Sequence, residues 1–185
     1  MIMSYLIAAV VLVGALCLLD LLLTVGLIRK LRAQQAPRTS ADGFAGEGML
    51  PPGAIVGAFE TRTVDGSPLR SRDLSTGTVV VFLSPGCPPC HAQLPRVVAA
   101  LGAAPANRAV AVVAGGMDGD PETEQLLKEL GPVARVVHEP GKGPVTEAFA
   151  ARAFPVMCRV RAAGDELVVE AVGEHVLPTP VPVAQ

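Results

Sequence analysis

The chain has 185 residues, of which 50% are hydrophobic and 3% aromatic, and its formal net charge is -2. This length allows one ordinary domain with an appendage, and the interspersed charges give no sign of nucleic-acid binding. Four cysteines are too few for a disulfide scaffold of this size, which favours a chemical use of the thiols over a structural one.

The first predicted element is a transmembrane helix over residues 5–28. This stretch is apolar except for Asp20 and small polar residues, and it is long enough to cross about 30 Å of hydrocarbon. It lacks a basic n-region and a small-x-small cleavage signal, which favours an uncleaved anchor over a signal peptide. Asp20 shares one stripe of the helix with Gly14, Cys17 and Thr24. This stripe either contacts a partner helix or holds a protonated, locally hydrated acid.

Residues 29–53 are predicted to be a linker, because they are rich in Ala, Gly, Pro and Ser and show little periodicity. The segment begins with a basic group, Arg29, Lys30, Arg32 and Arg38. The positive-inside rule therefore places the domain that follows in the cytoplasm.

A folded domain is predicted over residues 54–173. Residues 55–59 and 61–64 indicate short strands around a turn. Residues 79–83 form an unbroken apolar run, which is typical of a buried strand. A Pro-Gly turn follows, and a periodic segment that ends near Gly102 predicts a helix.

The rest of the domain alternates between strands and helices. The predicted elements are a strand over residues 109–114, a helix over 121–130 with Asp120 as N-cap, a strand over 135–138, a helix over 146–153, and a hairpin of 156–160 and 166–172. This order predicts a mainly parallel α/β sheet closed by an antiparallel hairpin. Residues 174–185 are rich in valine and proline and are predicted to form an extended tail.

The motif that carries chemistry is Cys87-Pro88-Pro89-Cys90, which lies between the buried strand and its helix. At a helix N-terminus, the macrodipole and the unpaired amides favour a thiolate, so Cys87 is predicted to be the nucleophile. Cys90 lies one turn later, where its sulfur can displace a mixed disulfide. Because proline has no N–H, the Cys90 amide is the nearest donor left for the Cys87 sulfur.

A zinc site is the main alternative for a Cys-x-x-Cys pair. Structural zinc needs four ligands, and the other candidates, Cys158, His91, His138 and His175, are scattered along the chain. We therefore predict a redox pair with no metal and no cofactor. Cys158 is predicted to be a buried, inert thiol, and His138 and His175 to be surface residues.

The strand, the Cys-Pro-Pro-Cys motif and Pro95, five residues after the second cysteine, resemble the thioredoxin-like superfamily. They resemble in particular the membrane-anchored disulfide reductases of the TlpA and ResA type, and Ser84-Pro85-Gly86 is similar to the turn of the anchored protein MauD. The resemblance covers about residues 54–173. It implies a thioredoxin-like α/β fold, a central mixed sheet flanked by helices, preceded here by one transmembrane helix.

The resemblance also implies roles for residues outside the motif. Pro155 matches the cis-proline that faces the cysteine pair in this superfamily, and Phe154 precedes it, so both are predicted to bind substrate. The family's acid three residues after the second cysteine is replaced here by Gln93. Water, the departing substrate thiolate or His91 is left as proton acceptor, so His91 and Gln93 are candidate modulators.

These features predict a membrane-anchored thiol-disulfide oxidoreductase that acts on protein thiols and disulfides together with an upstream electron donor or acceptor. Two other functions compete with it: a thiol or copper-handling assembly chaperone, and a peroxiredoxin-like peroxide reductase. Anchored relatives work outside the cytoplasmic membrane, so the resemblance implies an extracytoplasmic domain in a single-pass protein of the cell membrane. The basic flank implies the opposite side.

Overall fold

A computed structural model of the chain describes residues 48–178 and, ahead of them, Gly14. The predicted transmembrane helix over residues 5–28 with its Asp20 stripe, the linker up to residue 47, and residues 179–185 of the tail lie outside the described residues. Within the part that is described, no helix combines the length and the apolar character that a membrane span requires.

Strands and helices alternate along the described chain. In chain order they are β1 (Glu60–Arg62), β2 (Pro68–Arg70), β3 (Thr78–Leu83), α1 (Pro88–Gly102), β4 (Ala109–Ala114), α2 (Pro121–Leu130), β5 (Arg135–Glu139), α3 (Pro144–Ala148), β6 (Val156–Ala163) and β7 (Glu166–Val172). β1 and β2 form a separate antiparallel pair. The other strands form one sheet in the order β5-β4-β3-β6-β7.

The main sheet is mixed. β3 pairs in parallel with β4, and β4 with β5. β3 pairs antiparallel with β6, which forms a hairpin with β7. The predicted α/β sheet with a closing hairpin is therefore confirmed.

The two central strands divide the core into two apolar layers. Every residue of β3 and of β4 is buried, which explains their continuous runs of valine, leucine and alanine. Side chains alternate between the faces of a strand. Phe82 and Cys158 thus belong to one layer, whereas Leu83 and Cys90 belong to the other. The sheet separates Cys158 from Cys90.

The first strands differ from the sequence prediction. The strand expected over residues 61–64 corresponds to β1, which begins and ends earlier, whereas residues 55–59 form no strand and Ile55 forms only an isolated bridge with Val168. The backbone before β1 bonds to two separate elements, because Val56 N–H donates to Leu167 O and Gly57 N–H donates to Ala148 O. This segment is therefore held to the domain without forming a regular strand.

The helix expected over residues 146–153 is shorter and begins earlier, as α3. Pro144 occupies its first turn, and the buried Glu139 carboxylate accepts hydrogen bonds from the backbone N–H groups of Val145 at 2.8 Å and Thr146 at 2.9 Å. This side chain satisfies amides that a helix N-terminus leaves free, so it sets the start of the helix. The chain leaves the helix through Ala150, whose φ is 49°.

Both ends of the described region pack on the domain. Met49, in the segment that the composition assigns to the linker, is buried in the layer that holds Phe82. At the other end, Glu174–Val176 form a 3-10 turn where the sequence predicts an extended tail. Val176 and Leu177 are buried in the layer that holds Cys90, so this turn covers part of the core.

Candidate active site

The redox loop, residues 84–87, connects β3 to α1 at the carboxyl end of the strand. Gly86 has φ of 68°, a conformation that L side chains rarely adopt, and the chain turns there into the helix. Cys87 is the N-cap of α1, and Pro88 and Pro89 occupy the first turn. Prolines fit this turn because its N–H groups have no acceptor within the helix.

Cys87 and Cys90 are joined by a disulfide with a Cα–Cα distance of 5.2 Å. Their surroundings differ, because Cys87 is half-buried whereas Cys90 is fully buried. The backbone N–H of Cys90 lies 3.3 Å from Sγ of Cys87 and donates to it. The Cys90 amide is thus a hydrogen-bond donor to the Cys87 sulfur, as the sequence predicts.

The segment before β6 meets the pair from the other side. The peptide bond between Phe154 and Pro155 is cis, and Pro155 is buried. The carbonyl oxygen of Phe154 lies 3.5 Å from Sγ of Cys87. The fold therefore brings together four of the site residues predicted from the sequence, Cys87, Cys90, Phe154 and Pro155.

Gln93 is bound to the C-terminal turn. Its side-chain amide donates to Oε1 of Glu174 at 2.8 Å, and Arg96 Nη1 lies 2.6 Å from Oε2 of the same carboxylate. These contacts tie α1 to the turn after β7.

His91 lies beside an acid that the sequence did not single out. Nε2 of His91 lies 3.8 Å from Oε2 of Glu122, which belongs to the first turn of α2. The same oxygen accepts a hydrogen bond from the backbone N–H of Gly86. No sequence motif indicates these contacts of Glu122, because the helix dipole alone already explains an acidic residue in the first turn of a helix.

The loop between β4 and α2, residues 115–120, packs against the redox loop. A Cβ atom added to Gly116 would lie 2.6 Å from Cγ of Pro85 and would also collide with Thr123. Gly116 has φ of 74°. The close approach of the two loops therefore depends on a residue without a side chain.

His138 supports this neighbouring loop, which corrects the prediction that it is a surface residue. Its side chain is only 9% exposed, with Nδ1 3.1 Å from Oδ1 of Asp118 and Nε2 3.2 Å from the carbonyl oxygen of Gly115. The prediction failed because Asp118 and Gly115 are distant in sequence and reach His138 only through the pairing of β4 with β5. His175 is exposed, as expected.

Cys158 is the cysteine that the sequence predicts to be buried and inert. It is free and fully buried, and burial raises the pKa of its thiol. A thiol that stays protonated is a poor nucleophile. The prediction of an inert thiol agrees with this environment.

The site thus combines the half-buried Cys87 sulfur at a helix N-terminus with the fully buried Cys90 sulfur, to which it is bonded. A family model for Redoxin matches residues 35–179, which is more than half of the chain. The chain belongs to the Redoxin family.

Several solved structures resemble this Redoxin-family chain. They include the thioredoxin domain of a thiol-disulfide oxidoreductase from Bacteroides vulgatus, with 16% identity and a TM-score of 0.50 over 69% of this chain and 94% of that one. StoA from Bacillus subtilis has 19% identity and a TM-score of 0.50, over 69% and 92% of the two chains. A thiol:disulfide interchange protein of the thioredoxin family from Chlorobium tepidum TLS has 22% identity and a TM-score of 0.50, over 69% and 88%.

These likenesses show that the Redoxin-family chain has a thioredoxin-like fold. No curated protein sequence matches the chain significantly.

Proposed function

We propose that this Redoxin-family chain is a thiol-disulfide oxidoreductase that exchanges disulfides with protein thiols through Cys87 and Cys90. The observation that carries the proposal is the asymmetry of the pair. Cys87 is half-buried at the N-terminus of α1 and accepts the Cys90 N–H, whereas Cys90 is fully buried within bonding distance. An accessible attacking sulfur and a protected resolving sulfur are what a two-step exchange requires.

In the reducing direction, the Cys87 thiolate attacks one sulfur of a substrate disulfide. The substrate S–S bond breaks, a mixed disulfide forms at Cys87, and the departing substrate thiolate takes up a proton. The Cys90 thiol, after losing its proton, then attacks Sγ of Cys87 and releases the second substrate sulfur as a thiolate. The substrate gains two electrons and Cys87–Cys90 becomes a disulfide, which an upstream dithiol reduces again.

The substrate chain lies, in this proposal, along the segment that ends at Pro155. The support is the 3.5 Å contact between the Phe154 carbonyl oxygen and the sulfur that forms the mixed disulfide. The half-buried Phe154 ring offers an apolar contact to residues that flank the substrate cysteine.

The proposal extends to a TlpA or ResA type protein held in the cell membrane by residues 5–28, with the domain on the extracytoplasmic side. The support is the length and apolar character of that stretch, together with the resemblance of the Cys-Pro-Pro-Cys region. A membrane-impermeant maleimide should label Cys87 in intact cells after mild reduction. Labelling only after lysis would place the domain in the cytoplasm and overturn this extension.

Trapping in cells tests the exchange reaction itself. Cys90→Ser removes the resolving sulfur, so mixed disulfides between Cys87 and client proteins should accumulate and disappear on reduction. Cys87→Ser and Cys158→Ser are the matched controls and should trap no clients. If Cys90→Ser captured no protein and the purified Cys90→Ser variant turned over hydrogen peroxide through Cys87, the chain would be a peroxide reductase.

A further inference from the structure

The carboxylate of Glu122 lies beside the two residues that flank the Cys-Pro-Pro-Cys motif. Oε2 accepts a hydrogen bond from the backbone N–H of Gly86, the residue before Cys87. The same oxygen lies 3.8 Å from Nε2 of His91, the residue after Cys90. An acid that is 32 positions beyond the motif in sequence therefore lies against its two flanks in space.

The packing of α2 fixes the backbone that carries this carboxylate. Asp120 caps the helix by accepting the Thr123 N–H at 3.1 Å, and Pro121 occupies the first helical position, which places Glu122 in the first turn. Gly116 lies between Thr123 and Pro85, so the start of α2 cannot move away from the redox loop without opening this contact. The backbone that carries Glu122 is held on both sides.

The charges around Glu122 are few. Among residues 48–178, His91 is the only basic side chain within 4 Å of its carboxylate. Arg96, on the same helix as His91, is bound to Glu174, and Asp120 is occupied by the cap of α2. The carboxylate is half exposed, so solvent and salt weaken its field without abolishing it.

Two anions thus lie near the N-terminus of α1. The N-terminus of α1 stabilises the Cys87 thiolate. The Glu122 carboxylate accepts a hydrogen bond from the backbone N–H of Gly86, the residue immediately before that cysteine. A nearby like charge disfavours the thiolate. Because the dithiol form contains this thiolate and the disulfide form does not, the carboxylate favours the disulfide.

We propose that Glu122 is a positioning residue of the redox site that holds the redox loop through Gly86 and makes the Cys87/Cys90 dithiol a stronger reductant. This inference rests on the proposed function and gives it a direction. His91 opposes the effect when it is protonated, because its positive charge then partly neutralises the carboxylate.

The test is the equilibrium between the Cys87–Cys90 disulfide and glutathione, in which two glutathione thiols are oxidised for each disulfide reduced. Glu122→Gln keeps an acceptor for the Gly86 N–H and removes the charge. We expect the equilibrium to shift about three- to tenfold toward the dithiol, the size expected for one half-exposed charge held against the redox loop. This corresponds to a potential about 14 to 30 mV less negative, at roughly 30 mV per tenfold change.

Two further measurements separate the electrostatic role from a structural one. In Glu122→Gln, the midpoint of the pH profile of Cys87 alkylation should move to lower pH. In His91→Ala, the glutathione equilibrium should move the other way, toward the disulfide, because the Glu122 carboxylate loses its basic neighbour.

Glu124→Gln is the matched control, since Glu124 is exposed on the same helix and the substitution changes the net charge equally. It should shift the equilibrium by less than about twofold, as expected for a distant, screened charge. If Glu122→Gln behaved like Glu124→Gln while the wild type still equilibrated reversibly with glutathione, the role of Glu122 would be wrong and the proposed function would stand. A wild type that formed no reversible disulfide would overturn the proposed function itself.

Discussion

The carbonyl oxygen of Phe154 lies 3.5 Å from Sγ of Cys87, although the two residues are 67 positions apart in the chain. The pairing of β3 with β6 produces this contact, because it brings the start of β6 to the end of β3. Cys87 consequently has a polar backbone atom and solvent beside it, whereas Cys90 is enclosed by the apolar layer that includes Leu94 and Met157.

This difference predicts unequal reactivity of the two thiols. In the reduced protein at pH 7, limiting iodoacetamide should modify Cys87 at least about tenfold faster than Cys90, because only an accessible thiolate reacts readily. Mass spectrometry of the peptide that contains both cysteines would measure the two rates. In denaturant the rates should converge, and equal rates in the folded protein would contradict the asymmetry that the structure shows.

A second prediction concerns Pro89. An N-cap side chain accepts hydrogen bonds from the amides of the second and third helical positions. Cys87 receives only the Cys90 N–H, because Pro89 at the second position has none. Pro89→Ala should supply that donor, lower the pKa of Cys87, and shift the glutathione equilibrium toward the dithiol by about three- to tenfold, the value of one modest hydrogen bond.

Pro88→Ala is the control for this prediction. It adds an amide at the first helical position, which does not bind an N-cap side chain. Its equilibrium should stay within about twofold of the wild type, since it gains no bond to the sulfur. Equal shifts in both variants would show that loop flexibility sets the potential instead of the added amide.

The sequence predicts what local patterns determine. The buried strand before the motif, the redox helix and Asp120 at the start of α2 agree with prediction, because apolar runs and caps act within one element. The contacts of Glu122 with Gly86 and of His138 with Asp118 could not be predicted. They join residues on different elements, and only the order of the strands brings those elements together.

A third prediction concerns the close contact between the loops. Gly116→Ala would place a methyl group against Thr123 and Pro85 at a positive φ. We expect a loss of about 2–4 kcal/mol in the free energy of unfolding, from backbone strain together with overpacking. Gly119 has a similar φ of 84°, but a Cβ atom added there would meet nothing within 4 Å. Gly119→Ala should therefore lose only about 1–2 kcal/mol in the free energy of unfolding, from backbone strain alone. Urea unfolding would compare them, and equal losses would contradict the close packing.

The last prediction follows from the buried thiol of Cys158. Burial raises its pKa in the folded protein above the ordinary value of 9.0. Above pH 9, the thiol ionises in the unfolded chain but not in the folded one, so the unfolded state binds fewer protons and the free energy of unfolding falls as pH rises. The contribution of this group is constant below pH 9 and then declines by about 1.4 kcal/mol per pH unit.

Cys158→Ala should therefore be less stable than the wild type at pH 7, by roughly 1–2 kcal/mol for the lost packing, and this deficit should shrink and reverse between pH 9 and about pH 11. Urea unfolding of the oxidised proteins at a series of pH values measures the difference, with the Cys87–Cys90 disulfide intact so that those thiols do not titrate. Val160→Ala is the control, because Val160 is fully buried in the same layer and has no titrating group. Its deficit should not change with pH, and a Cys158→Ala deficit that ran parallel to it would show that the Cys158 thiol ionises as readily in the fold as in the unfolded chain.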